Sequence, residues 1–179
     1  NKLEKGRINL NTNAGNINLT NLKCDVKGET NAGNLDIENS SGNYELETNA
    51  GNIDVYNFSG NLKTETNAGN FNVKNFSGKI IGNINAGKFN VELSNDFKGV
   101  ELIATTGNVS IRIPPSLKAN IDFEQTGFGK IKFVSDDLSS KLNFQIEKMD
   151  SNHLKGKING GGNLIKVENS TGNIELELL

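Results

Sequence analysis

Three glutamates recur at one position of an internal repeat, and their spacing is the first pattern in the chain that could support chemistry. Glu29, Glu47 and Glu65 lie eighteen residues apart. If successive repeats stack as strands, their Cα atoms lie about 4.8 Å apart, and stacked carboxylates could contact a divalent cation such as calcium. Lys27 and Lys63 each precede one of these glutamates by two residues and would offset the repulsion. We therefore predict no dedicated metal site and keep the three glutamates as weak candidates for cation contact.

A second carboxylate column contains Asp36 and Asp54, which also lie eighteen residues apart. Paired carboxylates serve glycoside hydrolysis, and parallel β-helices often carry polysaccharide lyase or hydrolase sites on one face. The repeat places neither Arg nor His in these outward columns, and Arg occurs only at Arg7 and Arg112. We therefore predict no catalytic residue, with a polysaccharide-active enzyme as the alternative.

The remaining reactive residue types favour structural roles. His153, the single histidine, follows Asp150-Ser151-Asn152 and is predicted to be exposed and inert. One cysteine, Cys24, excludes an internal disulfide and a cysteine-based metal site, and it is predicted to be a small buried residue. The threonine column beginning at Thr12 is predicted to face inward at a bend, which argues against an ice-binding face.

These residues are positioned by an eighteen-residue repeat, which indicates stacked supersecondary units. The motif Thr-Asn-Ala-Gly-Asn begins at Thr12, Thr30, Thr48 and Thr66, with a variant copy at Ile84. Its turn glycines are Gly15, Gly33, Gly51, Gly69 and Gly87. Its asparagines, predicted to form a hydrogen-bonded ladder at one bend, are Asn13, Asn31, Asn49, Asn67 and Asn85. We assign both sets structural roles at the turns, with glycan binding by the asparagines as the alternative.

Apolar residues alternate with polar ones on both sides of each turn, which indicates β-strands. In the copy that begins at Thr48, Ile53 and Val55 form one inward set and Leu62 and Thr64 the next. The inward set changes from odd to even numbers within each repeat, so two bends are needed per coil. The alternation predicts an all-β fold, and because identical residues recur at eighteen rather than in mirrored order, the copies are expected to stack in parallel. Its form is a single-stranded parallel β-helix, or β-solenoid, with two main strands per coil, and right-handed crossovers are expected.

Composition is consistent with one thin-cored domain spanning residues 1–179. Hydrophobic residues make up 34% and aromatics 6%, too few for a thick globular core. Residues 1–93 carry the regular repeat, and residues 94–179 are predicted to form irregular coils and a C-terminal closure, with a loop from Asp136 to Lys141. The net charge of -2 gives no electrostatic case for nucleic acid. No apolar run approaches the roughly 20 residues of a membrane span.

The repeated Asn-Ala-Gly-Asn-Ile and Ser-Gly-Asn-Leu units resemble those of a bacterial adhesin-type family of β-strand repeat domains. The closing segments Lys155 to Asn163 and Asn169 to Ile174 share this pattern. The family is related to the head GIN domains called autotransporter adhesins. The resemblance covers nearly the whole chain and implies a parallel β-helix, exported or surface-attached, without established enzyme activity. It supplies no functional residues that could be carried over.

We therefore expect a non-enzymatic, exported or cell-surface β-solenoid without cofactor, acting as an adhesin, a binding domain or a spacer. Its partner would be a surface protein or a glycan. A scaffold in envelope-stress signalling is a further alternative. The chain opens at Asn1 without an initiator Met or a signal peptide, so an export signal or anchor is expected outside this segment.

Overall fold

The computed structural model describes residues 6–134 and 141–179, which form strands of one connected sheet. The strands are β1 (Arg7–Ala14), β2 (Ile17–Thr20), β3 (Asp25–Ala32), β4 (Leu35–Ala50), β5 (Ile53–Leu93), β6 (Gly99–Thr106), β7 (Val109–Ile113), β8 (Ala119–Phe128), β9 (Ile131–Phe133), β10 (Phe144–Met149), β11 (His153–Ile158), β12 (Asn163–Thr171) and β13 (Ile174–Leu178). The all-β class predicted from the sequence is confirmed. The predicted loop Asp136 to Lys141 lies outside the described residues except for Lys141.

Strands of the regular half pair in parallel with the register that the repeat predicts. Between β4 and β5, Leu35 lies opposite Ile53 and Leu46 opposite Thr64, an offset of eighteen residues in both cases. Side chains alternate across the sheet, so Leu35 is buried while Asp36 faces outward. Each coil therefore stacks its apolar residues on those of the next and leaves a polar column outside.

Backbone hydrogen bonds continue through the bends, which is why β5 runs for 41 residues without a break. The bends hold residues that tolerate positive φ. Non-glycine residues with φ between 50° and 59° in the regular half are Asn21, Asn39, Asn57 and Asn75. Asparagine is among the few side chains that adopt this left-handed conformation at low cost. The second bend is therefore encoded by these four asparagines.

The register changes where the strict repeat ends. Between β5 and β6, Lys79 pairs with Gly99, an offset of twenty residues. A turn over residues 94–97 separates the two strands, and Phe97 in it is buried, only 1% exposed. The longer coil thus uses its extra residues to bring an additional aromatic side chain into the core.

The last coil of the chain lies inside the stack, although it is last in the sequence. Val167 in β12 lies opposite Leu102 of β6 on one side and Phe123 of β8 on the other. In the same way Leu176 of β13 lies between Ile111 of β7 and Phe133 of β9. Residues 163–178 therefore fill a gap between two coils that are consecutive in the sequence.

The sheet is mixed, so the prediction of a fully parallel stack is wrong at the C-terminal end. Strand β11 pairs antiparallel with β8, and β10 pairs antiparallel with β11. The reversal occurs at a short turn, where the Asp150 carboxylate accepts hydrogen bonds from the backbone N–H groups of Asn152 and His153. A connection this short joins antiparallel strands only, since parallel ones need a long crossover.

The core is one continuous cluster of buried apolar residues, from Ile17 to Leu176. Aromatic residues of successive coils contact each other: Phe58 stacks on Phe76 at 5.9 Å, and Phe71 meets Phe89 edge-on at 5.5 Å. Such pairs contribute about 0.5–1.5 kcal/mol beyond their buried area. Contacts between the coils inside the core therefore support the outward columns.

Candidate functional site

The three glutamates form a continuous outward column. Glu47 lies opposite Glu29 on one side and Glu65 on the other, and the column borders a groove of about 260 Å³. Glu29 accepts a hydrogen bond from Asn11 Nδ2 at 3.2 Å and forms an ion pair with Lys27. In the part of the chain that the structure describes, no cluster of three or more His, Cys, Asp or Glu side chains could hold a metal ion.

Lys27 and Lys63 lie in the column next to the three glutamates and offset the negative charge of this face. Lys63 Nζ lies 2.7 Å from Glu45 Oε1, and this hydrogen bond holds the pKa of Glu45 below its usual value. The same contact raises the pKa of Lys63, and the contact with Glu29 raises the pKa of Lys27. This face consequently carries interleaved charges of both signs.

The asparagines of the repeat motif hydrogen-bond to one another along the first bend. Asn49 donates to Asn31 at 2.8 Å and accepts from Asn67 at 2.7 Å. Asn31 bonds in the same way to Asn13, and Asn85 to Asn67. Because these exposed amides already hydrogen-bond to one another, fewer of their donors and acceptors are left for a glycan.

A second asparagine ladder was missed by the sequence analysis. The side-chain Oδ1 atoms of Asn16, Asn34 and Asn52 each accept the backbone N–H of the asparagine eighteen residues later, at 2.9 to 3.0 Å. The signal was present, because each of these asparagines directly follows a turn glycine. They satisfy backbone donors that the bend would otherwise leave without a partner.

The turn glycines are required by space as well as by backbone conformation. Gly51 has φ of 155°, and a Cβ there would lie 1.9 Å from the carbonyl oxygen of Gly33 in the preceding coil. Glycine at this position of successive coils thus lets adjacent coils approach closely at the bend. The threonine column beside it is buried as predicted: Thr48 is 4% exposed and donates to the Gly33 carbonyl at 3.3 Å.

The face opposite the glutamates carries an open groove of about 550 Å³ around Tyr56, here called the Tyr56 groove. Tyr56 is 48% exposed, unlike the other tyrosine, Tyr44, which is 2% exposed in the core. The polar lining of this groove includes Asp36, Glu38, Asp54, Tyr56, Asn72 and Lys74. Strands β4 and β5 hold them, with Tyr56 directly opposite Glu38 and Asp54 directly opposite Asp36.

The two aspartates of the groove differ in their environment. Asp54 accepts a hydrogen bond of 2.6 Å from Asn72 Nδ2, whereas Asp36 has no hydrogen-bond or ion-pair partner among the described residues. Partial burial raises the pKa of Asp36, and the neighbouring charge of Asp54 raises it further. Asp54 is therefore stabilised by a hydrogen bond, whereas the ionised form of Asp36 is disfavoured by burial and by the neighbouring charge.

His153 lies in a different place from the exposed loop predicted for it. It begins β11, is partly buried, and its Nε2 lies 2.7 Å from Asp122 Oδ1. Its Nδ1 lies 3.0 Å from Lys148 Nζ. An ammonium group only donates, so Nδ1 accepts and the Nε2–H group donates to Asp122. With both ring nitrogens engaged, His153 serves as a structural tie between β8, β10 and β11.

Arg112 forms an ion pair between coils, and Cys24 is buried in the core. Arg112 lies outside the columns of Asp36 and Glu29: it lies opposite Glu92 and forms an ion pair with it at 2.8 Å. The offset of twenty residues conceals this alignment from an eighteen-residue count. Cys24 is buried, and burial, with a contribution from Asp25, raises the pKa of its thiol. A neutral buried thiol is unreactive.

These features define an all-β repeat domain that presents polar columns on a continuous apolar core. No helix in residues 6–134 or 141–179 has both the length and the apolar character needed to cross a bilayer. The family model Toastrack DUF4097 matches residues 1–177, and the chain belongs to this family. Comparison with curated proteins and with solved structures gives no match.

Proposed function

We propose that this chain is a non-enzymatic β-solenoid of the cell envelope or cell exterior that binds a partner through the Tyr56 groove. The observation that supports a binding role is an exposed aromatic ring among carboxylates on a rigid sheet. Asp36 and Lys74 in this groove have no ion-pair partner among the described residues, whereas Glu29 and Glu45 on the opposite face each pair with a lysine. Aromatic residues are enriched in binding surfaces, and unpaired charges beside such a ring can pair with a ligand.

The proposal includes the finer architecture and the location. We propose right-handed coils of about eighteen residues in the regular half, with two main strands each, and the adhesin role implied by the family resemblance.

Surface location is tested on intact producing cells that carry the full-length protein with an epitope tag at each end. External protease should degrade the domain before the cells are lysed. Protection until lysis would contradict an exterior location.

A polysaccharide-active enzyme is the second candidate, and the Asp36–Asp54 pair supports it. Neighbouring carboxylates with different environments can divide the roles of general acid and nucleophile. Against it, both side chains lie on an open sheet face that does not enclose a substrate. The test is product analysis after long incubation with oligosaccharides, comparing the natural chain with Asp54→Asn. Cleavage that depends on Asp54 would replace the binding role with an enzymatic one.

A further inference from the structure

The Tyr56 groove has an excess of negative charge. Three carboxylates, from Asp36, Glu38 and Asp54, face one ammonium group, from Lys74. Glu38 accepts one hydrogen bond, of 3.3 Å from Asn39, and Asp36 accepts none among the described residues. Ionised carboxylates only accept hydrogen bonds, so the missing partners are donors, and the charge balance favours a cation.

The exposed ring of Tyr56 adds a second requirement. Aromatic faces attract cations and also cover the apolar face of a flat ligand. Because Glu38 lies directly opposite Tyr56, and Asp36 and Asp54 form the adjacent column, a ligand over the ring has carboxylates beside it. A ligand that satisfies both requirements has a ring-shaped body with hydroxyl donors and a positively charged amine.

The groove lies in the middle of the sheet rather than at an edge. At the groove, residues 35–38 of β4 are paired with β2 on one side and with β5 on the other, so no strand can be added there. A basic peptide recognised by strand addition needs a free edge. A saccharide needs only side-chain donors and acceptors and an aromatic platform, which the groove supplies.

We propose that the Tyr56 groove binds a glycan that contains amino sugars with free, positively charged amines, such as a glucosamine polymer. In this arrangement a sugar ring lies on Tyr56, and its amine and hydroxyl groups donate to Asp36, Glu38 and Asp54. Acidic polysaccharides are disfavoured by the excess of carboxylates. This inference rests on the proposed function and names the ligand of the same surface.

Tyrosine fluorescence can follow binding directly, because the chain has no Trp and two Tyr. Tyr44→Phe leaves Tyr56 as the one fluorophore. Glucosamine hexamer is titrated into this protein and, by calorimetry, into the unmodified chain. Hexamers of N-acetylglucosamine and glucose, and a lysine-rich peptide, serve as comparison ligands. We expect the glucosamine hexamer to change Tyr56 emission and to bind about tenfold or more tightly than each comparison ligand, a difference of about 1.4 kcal/mol.

Variants locate the site. Tyr56→Ala and Asp36→Asn should each weaken binding about tenfold. Glu177→Gln changes an outward carboxylate opposite Arg112, outside the groove, and should leave affinity unchanged. Equal binding of neutral oligomers or of the peptide, or retained affinity in Tyr56→Ala, would overturn the proposal, as would no binding at all.

These results are independent of the protease test of surface location, so the two proposals can fail separately. Shortening of the hexamer would keep the ligand class and overturn the non-enzymatic role.

Discussion

At the scale of single residues, the turn glycines carry the closest coil-to-coil contacts. Gly51→Val introduces a Cβ into the space occupied by the Gly33 carbonyl oxygen, at a backbone conformation that L-residues rarely adopt. We expect a loss of at least about 1–3 kcal/mol in unfolding free energy. Chemical denaturation, monitored by circular dichroism, measures this loss.

The matched control is Asn83→Val, which places the same side chain at an exposed strand position. Valine suits a strand, so the unfolding free energy should change little. Equal losses in the two variants would show that the space at the bend is not what requires glycine.

Removing the charge of Asp36 should stabilise the fold, in contrast to the substitution at Gly51. Its pKa is raised by partial burial and by Asp54, so the ionised form costs stability at neutral pH. Asp36→Asn removes this cost, and we expect a gain of about 0.2–1 kcal/mol at pH 7, in line with directly opposed cross-strand pairs.

The gain should depend on pH in a defined way. Because the pKa of this carboxyl group is higher in the folded state, its cost to stability disappears as the pH falls through that raised pKa toward the pKa of the unfolded chain. Melting curves of both proteins from pH 7 to pH 3.5 should therefore converge. A gain that is constant across this range would mean that the substitution acts through packing.

At the scale of elements, the regular half was predictable because one rule operates in it. An eighteen-residue repeat specifies which residues are neighbours, so the pairing of Leu35 with Ile53 follows from counting. The antiparallel hairpin of β10 and β11 follows no repeat and could not be derived in this way. It brings His153 to Asp122, 31 residues away, a contact that the sequence alone does not encode in any spacing.

The glutamate column is an element-scale feature, and its response to calcium is testable. Lysine pairing and the absence of a metal-holding cluster among the described residues lead us to expect no stabilisation by calcium. Melting midpoints with millimolar calcium and then excess chelator should agree, in the natural chain and in the Glu29→Gln, Glu47→Gln, Glu65→Gln triple variant. Binding to the folded state would raise the midpoint. A shift in the natural chain that the triple variant lacks would establish a cation site.

At the scale of the whole molecule, the inserted last coil links the two halves of the stack. Removing residues 163–179 leaves β6 and β7 without partners on one side and separates them from β8 and β9. We expect the 1–162 chain to lose hydrogen-exchange protection throughout β8 to β11, while β3 to β5 keep theirs. Exchange measured by mass spectrometry on proteolytic fragments would resolve the two regions.

A matched truncation at the other end provides the comparison. Removing residues 1–20 deletes β1 and β2, which lie at the N-terminal end and pair only with β3 and β4 among the described strands. Its effect should remain local. If the 1–162 chain loses protection at its final residues alone, the inserted coil is not what couples the halves.

A shorter fragment, residues 1–111, tests edge protection. It ends within β7 and exposes the whole free side of β6, including Val100 and Leu102. Unpaired edges that carry apolar side chains recruit other chains, so aggregation is expected. Light scattering would detect it, and a monodisperse, folded fragment would contradict the expectation.

The position of the last coil also determines when the stack can be completed during biosynthesis. Coils of the regular half can stack as they emerge from the ribosome, since each needs only the coil made before it. The slot beside β6 has to wait for residues 163–178, which begin about fifty residues after β7 ends. At about 5–20 residues per second this delay is about 2–10 s. Until those residues arrive, the strand edges of β6 and β7 on this side stay unpaired, so the stack is completed later than the order of its other coils would suggest.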